Sequence, residues 1–594
     1  MTEQQNIGVE NVVWDLGDLY PGHTNGSFVS DLESLEQRTA SLAETWRGKL
    51  ASLDAASMAS FATAYSNVYE TMDRLGSYVH LLWSTDTLNP DYGKLLQRVR
   101  ETVSTAYAHL AFVSVELVGI PEERVNEIAA APEMASYRHW FESINTMRPH
   151  VLSEDVERVL NQTALTGQAA WVRLHDEVQN RQTYQIDGET LTEAEVLKRL
   201  HNPNRDVRRQ ACEVFSAGIE KIVPIQSYIF NTILADRALH DRLRHHSSWI
   251  ESRNLSNEAK PETVEALVTS VTSRYDLLHR VYALKQRLLG YDTFYDYDRY
   301  APVGEKSEDV WTWQQARELV VASYTAFHPK AGEIANMFFE RNWIHAPVQK
   351  GKSGGAYSAG TVASVHPYVF MNYTGTSRDV QVLAHELGHG IHQYLSRGVG
   401  QLQMDTPLTV AETASVFGEM LVFRTLLDRT TSAQERLSLL MSKIDDTMST
   451  VMRQVALNRF EHAAHTARRT EGELSVERIG QLWLETQRTC LGPNVVLSPG
   501  YEHWWCYISH FIHTPGYVYA YAFGELLVLA LYERYQRQPE GFPELYIDLL
   551  SAGGSKKPED LLAPLGIDIN APDFWHGGLA MIEALIAEAE AIAG

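Results

Sequence analysis

Two histidines four residues apart, His385 and His389, stand in the stretch QVLAHELGHGIHQYL, with Glu386 directly after the first. On an α-helix, positions i and i+4 lie one turn apart on the same face. Two imidazole nitrogens at that spacing can aim at one point, as a tetrahedral zinc requires at about 2.0–2.1 Å. Glu386 is rotated by roughly 100° about the helix axis. It can therefore sit beside such a metal without binding it, close enough to take a proton from a water. Zinc brings the pKa of a bound water down to about 7 and polarises a carbonyl oxygen. That is the minimal apparatus for hydrolysing an amide. The chain holds 23 histidines, so three fixed letters would arise by chance about once in roughly twenty such proteins. A third ligand has to decide.

A histidine ten residues past the first would complete one known ligand pattern, but that position is Leu395. A glutamate on a following helix is the other common solution, and DTPLTVAETASVFGEMLVF supplies Glu412. Thr409 and Glu412 also spell T-x-x-E, a capping box in which the glutamate only satisfies a backbone amide. Spacing alone leaves ligand and cap even. Glu419, two turns further on the same face, reads as a solvated or core-paired acid. If Glu412 binds the metal, Glu419 could instead hydrogen-bond a ligand histidine. His392, one turn after His389, reads as a packing residue rather than a ligand.

The elements that must position these groups are mostly helices. SDLESLEQRTASLAETWRGKLASL, KLLQRVRETVSTAYAHLAFVSVEL and PETVEALVTSVTSRYDLLHRVYALKQRLLG carry apolar residues at three- and four-residue spacing. Two places break the pattern. RQTYQIDGETLTEAEVLKRL holds a short extended piece and a turn, and is expected to end an N-terminal lobe. SVHPYVFMNYTG, residues 364–375, alternates like a strand, and Pro367 places that strand at a sheet edge. The predicted order is a Gly-rich loop, an edge strand, a tight turn, and the HELGH helix over about 377–396. Thr376 or Ser377 would cap that helix, with Asp379 favourable in its first turn.

With 594 residues, 44% apolar and 21% charged, the chain is globular and long enough to bury a large core. Acidic residues outnumber basic ones 75 to 51, a formal charge of −24, which argues against a nucleic-acid partner. Three cysteines cannot make a disulfide framework. The first residues lack a secretory signal, and the apolar run YVYAYAFGELLVLALY, interrupted by Glu525, is too short and polar to span a bilayer. No membrane partner and a cytoplasmic location are expected.

HELGHGIH, followed 27 residues after its first histidine by the glutamate of AETAS, closely resembles the oligoendopeptidase F family of thimet-oligopeptidase-like zinc endopeptidases. GGAYSAG before HPYVFMNYTGTSRDV, WDLGDLYPG near the start and NPNRDVRRQACEVF at 202–215 are similar to recurring stretches of that family. The resemblance implies one Zn2+ per chain held by His385, His389 and Glu412, with Glu386 as general base. It implies a mainly α fold: two helical lobes enclosing a deep substrate channel, with a small edge-stranded sheet beside the HELGH helix. An N-terminal lobe would cover 1–195 and the catalytic domain 196–594. Tyr517 and Tyr521 would by themselves read as packing residues. The family, however, carries a histidine and tyrosine cluster at this point that contacts the peptide carbonyl. His510, Tyr517 and Tyr521 match it best, with His513 competing with His510. Gly354, Gly355, Ala356, His366 and Tyr368, from the loop and the strand, are the expected substrate-binding residues, a peptide adding along strand 364–373. The leading expectation is a zinc endopeptidase acting on short oligopeptides. A carboxypeptidase or dipeptidyl carboxypeptidase is the alternative, and a non-catalytic helical binding protein a distant third.

Overall fold

A computed structural model describes residues 7–164, 166–304 and 310–594. It is 71% helix and 3% strand, a mainly α fold. Contacts divide the chain into two compact units, each assembled from three stretches: Met1–Val151, Ser307–Asp428 and Arg534–Asp568 in the first, and Leu152–Lys306, Arg429–Glu533 and Ile569–Gly594 in the second. The sequence-based boundary at 195/196 cuts the chain once, whereas the contacts group it by weaving back and forth. Among the described residues no single helix is long and apolar enough to cross a membrane.

The first unit opens with helices Gly26–Trp46, Ala55–Thr85 and Pro90–Leu110. Each starts on a side-chain cap: Asn25, Asp54 and Asn89 accept from the backbone amides of Ser27, Ser57 and Asp91. Such caps satisfy amides that have no partner in the first turn. Phe28, Leu32, Leu35, Thr39 and Leu42 are buried along the first of them at the three- and four-residue spacing read from the sequence.

A three-stranded sheet stands beside the HELGH helix in this unit, and its order corrects one expectation. Strand Tyr368–Phe370 is central, parallel to Ile344–His345 on one side and antiparallel to Tyr357–Ala359 on the other. Pro367 does not force an edge because it precedes the first paired residue, where its missing amide costs no ladder bond. The far side of Ile344–His345 is sealed by the N-terminal segment. Ala346 N–H donates to the Val12 carbonyl at 2.9 Å and Asp15 N–H to that of Asn342 at 2.8 Å. Trp14 of the WDLGDLYPG stretch packs against His345, Tyr368 and Phe370. The edge strand is therefore Tyr357–Ala359, which has no outer strand partner among the described residues.

The second unit is organised along helix Arg205–Leu243, 39 residues long. The hairpin of strands Tyr184–Ile186 and Glu189–Leu191 lies on it. Asp187 and Gly188, both at positive φ (53° and 84°), make its two-residue turn, the backbone such hairpins require.

Candidate active site

The HELGH helix, Ser377–Ser396, begins on a reciprocal cap. Thr376 Oγ1 accepts from Asp379 N–H at 3.1 Å, and Asp379 Oδ2 accepts from Thr376 N–H at 3.0 Å. The same carboxylate takes the Thr374 amide and hydroxyl, so the turn leaving the sheet and the helix start are locked together. One face of the helix then brings His385 and His389 side by side, with ring centroids 4.9 Å apart.

Glu412 meets both rings. Its Oε2 lies 3.4 Å from His385 Nε2 and 3.4 Å from His389 Nε2. The capping alternative fails on geometry: the short helix Leu408–Ala411 is capped by Pro407, with Thr409 inside it and Glu412 after its end. Ser415 Oγ donates to Glu412 Oε2 at 2.6 Å, holding the carboxylate in this orientation. Ligand atoms about 2.0–2.1 Å from a tetrahedral ion stand roughly 3.3–3.4 Å from one another. Both separations from Glu412 match that spacing, and the three ligand atoms all lie within 4.8 Å of one another, so the donor set suits a divalent cation. Behind it, His385 Nδ1 lies 3.3 Å from Glu419 Oε2, which directs Nε2 toward Glu412.

The electrostatics agree with this placement. Burial alone would lower the His385 pKa, but the hydrogen bond to Glu419 and the charges of Glu412, Glu386 and Glu419 raise it to about 9. Burial would raise Glu412, yet His389, His385 and the Ser415 hydroxyl hold it down at about 2. Three carboxylates around two imidazoles make a negative surplus that a proton meets in part here and that a divalent cation meets better. Glu386 is buried beside them, 7% exposed. Burial raises its pKa, opposed by the charges of the two histidines.

Several positioning residues gave no chemical signal in the sequence. A Cβ on Gly388 would lie 2.6 Å from Ser415 Cα and 2.7 Å from the Ala414 carbonyl carbon. Only glycine lets the HELGH helix approach the chain that carries Glu412 this closely. Tyr324 donates its hydroxyl to the Ala384 carbonyl at 2.7 Å, and a Cβ on Gly418 would come 2.5 Å from its Cζ. His392 is buried and bonds the Ala411 backbone next to Glu412; burial lowers its pKa to about 4.

The remaining sequence candidates are placed as follows. Gly354 and Gly355 are exposed and Ala356 is half-buried, just before the edge strand. Asn372 Nδ2 holds the Gly355 carbonyl at 3.0 Å. His366 and Tyr368, expected to contact substrate, are both buried against the N-terminal segment. His366 is buried, stacked on Trp343 at 3.8 Å and bonded to Asp18 at 3.0 Å. Tyr368 is fully buried, with its hydroxyl on the Asp15 carbonyl. Both serve to dock the N-terminal segment. In the second unit, His510 Nε2 lies 3.2 Å from the Tyr521 hydroxyl, and the Tyr517 and Tyr521 rings meet edge to face at 5.1 Å. His513 leaves this group and pairs with Asp176 instead.

Comparison with known proteins bears on this arrangement directly. The model of peptidase family M3 matches residues 199–581, and that of oligopeptidase F matches 116–181. The chain belongs to peptidase family M3. It is accordingly a metallopeptidase of the kind that acts on oligopeptides. Oligopeptidase PepF of Bacillus subtilis is 27% identical over 97% of this chain and 86% of its own. Among solved structures, a Chlamydophila abortus protein shares the fold with a TM-score of 0.88 at 23% identity, covering 98% of both chains. Oligoendopeptidase F from Enterococcus faecium superposes with a TM-score of 0.72 at 21% identity, over 95% of this chain and 98% of the other.

Proposed function

We propose that this M3 peptidase is a zinc endopeptidase that cleaves internal bonds of short oligopeptides, with His385, His389 and Glu412 holding the ion. The observation that carries the reading is the pair of 3.4 Å separations from Glu412 Oε2 to the two Nε2 atoms. When bound, zinc supplies a positive charge that acidifies water and polarises the scissile carbonyl. Glu386, buried and raised in pKa, accepts the proton of the attacking water and passes it to the departing amine. Glu419 keeps the His385 ring oriented. The peptide backbone adds along edge strand Tyr357–Ala359 rather than along 364–373, whose two sides are already paired. Gly354, Gly355 and Ala356 line its approach. His510, Tyr517 and Tyr521 are assigned to oxyanion support, with His510 preferred over His513 because it shares the tyrosine cluster.

The division into an N-terminal lobe, 1–195, and a catalytic domain, 196–594, is retained as a reading of family modules, since the two family models fall on either side of it. The three cysteines, all free and buried, suit the reducing cytoplasm in which we place the enzyme.

Glu386→Gln tests the mechanism. The variant should keep its metal and lose about 10²–10⁴-fold in kcat, the usual worth of a positioned acid–base group. Turnover close to wild type would remove Glu386 from the base role. Cleavage mapping on one peptide with free and amidated C-termini separates endopeptidase from carboxypeptidase, since an exopeptidase needs the terminal carboxylate.

A further inference from the structure

Away from the HELGH helix, the second unit brings His175, Asp176 and His513 together, one ligand atom from each lying within 4.8 Å of the others. His175 and Asp176 belong to helix Gln168–Asn180, and His513 closes the short helix His510–His513. His513 Nε2 is 2.7 Å from Asp176 Oδ1, and the two histidine rings meet edge to face at 5.9 Å.

The support behind His175 separates this trio from a plain surface ion pair. The ring is buried, 2% exposed, and its Nδ1 is 2.7 Å from Gln226 Oε1. The Gln226 amide nitrogen is committed elsewhere, donating to Gln179 Oε1 at 3.2 Å. Its carbonyl oxygen therefore faces the imidazole, and an oxygen of that kind only accepts. Nδ1 must carry the proton, which leaves the lone pair on Nε2. A histidine fixed in one tautomer by an acceptor on its other nitrogen is the usual form of a metal ligand. Asp176 is half-buried and His513 exposed, so an ion and its water can reach the pair.

We propose that His175, Asp176 and His513 form a second divalent-cation site, distinct from the His385, His389 and Glu412 set. Two imidazoles and one carboxylate with room for water suit zinc or a neighbouring transition metal. The ion takes the place of the Asp176–His513 hydrogen bond and ties helix Gln168–Asn180 to the segment that leads into Tyr517.

Tag-free, chelator-stripped full-length chain titrated with zinc chloride alone, by calorimetry and by elemental analysis after equilibrium dialysis, tests the proposal. Wild type should bind two zinc ions per chain. His389→Ala should lose one and keep the other. Asp176→Asn combined with His513→Ala changes only accessible side chains, and should lose the second ion while retaining the first. Gln226→Leu, which removes the acceptor behind His175 but none of the three ligands, should weaken the second ion alone by about 10–100-fold. Wild type that binds a single ion, or an Asp176→Asn/His513→Ala protein with unchanged stoichiometry, overturns the site and leaves the peptidase reading intact.

Discussion

At the scale of single residues, the site depends on which nitrogen of His385 faces the ligand cluster. Glu419 settles that by holding Nδ1, so its contribution is exerted through another residue. Glu419→Gln keeps the shape but replaces an ionic acceptor with a neutral amide. Metal affinity should fall by about 10–100-fold, measured by competition with a colorimetric chelator, while the fold persists. An unchanged affinity would reduce Glu419 to a packing acid. How far such residues were legible follows from their chemistry. His385, Glu386 and His389 carry their own spacing rule, and one face of one helix is enough to assemble them. Glu412 was legible only as one of two equal readings, because T-x-x-E describes a cap as well as a ligand. The difference lay in a helix that starts one residue before Thr409, with Pro407 and not Thr409 as its cap, and boundaries of that kind are weakly encoded in sequence.

At the scale of elements, the site is made by two helices closer together than ordinary side chains permit. Gly388 faces the backbone of Ala414 and Ser415, and Gly418 faces the Tyr324 ring. Gly388→Ala would press a methyl into backbone atoms, which cannot rotate aside as a side chain can. Overpacking of this kind costs about 1–3 kcal/mol. The strain falls on the chain between Glu412 and Glu419, so Gly388→Ala should lower the melting temperature and weaken metal binding together. Gly398→Ala, where nothing lies within 4 Å, is the control. A Gly388→Ala enzyme with native affinity and stability would show that the two helices need not sit so close. The HELGH helix itself was legible to its ends, since Thr376 and Asp379 announce the cap and the apolar face follows. The strand was legible as a strand but not as a central one. Pro367 signals an edge only if it lies inside the ladder, and the partners that make Tyr368–Phe370 central, at 344–345 and 357–359, are two- and three-residue strands with too few positions to alternate.

At the scale of the whole molecule, the chain carries 75 acidic and 51 basic residues, a formal charge of −24. That imbalance says nothing about the fold, and contributes to capture rather than to the chemical step. A negative field concentrates cationic ligands and repels anionic ones before any contact forms. Two peptides with the same residues around the scissile bond, one flanked by lysines and the other by glutamates, isolate this effect. At an ionic strength near ~0.01 M, where the screening length is about 30 Å, the cationic peptide should have the higher kcat/KM by about tenfold, the low end of electrostatic steering. Near ~1 M, where screening acts within about 3 Å, the two should converge, with kcat itself little changed throughout. A ratio that stays constant across salt would mean that any charge preference comes from direct pairing with side chains at the site, and that the global imbalance serves only to keep the chain dispersed.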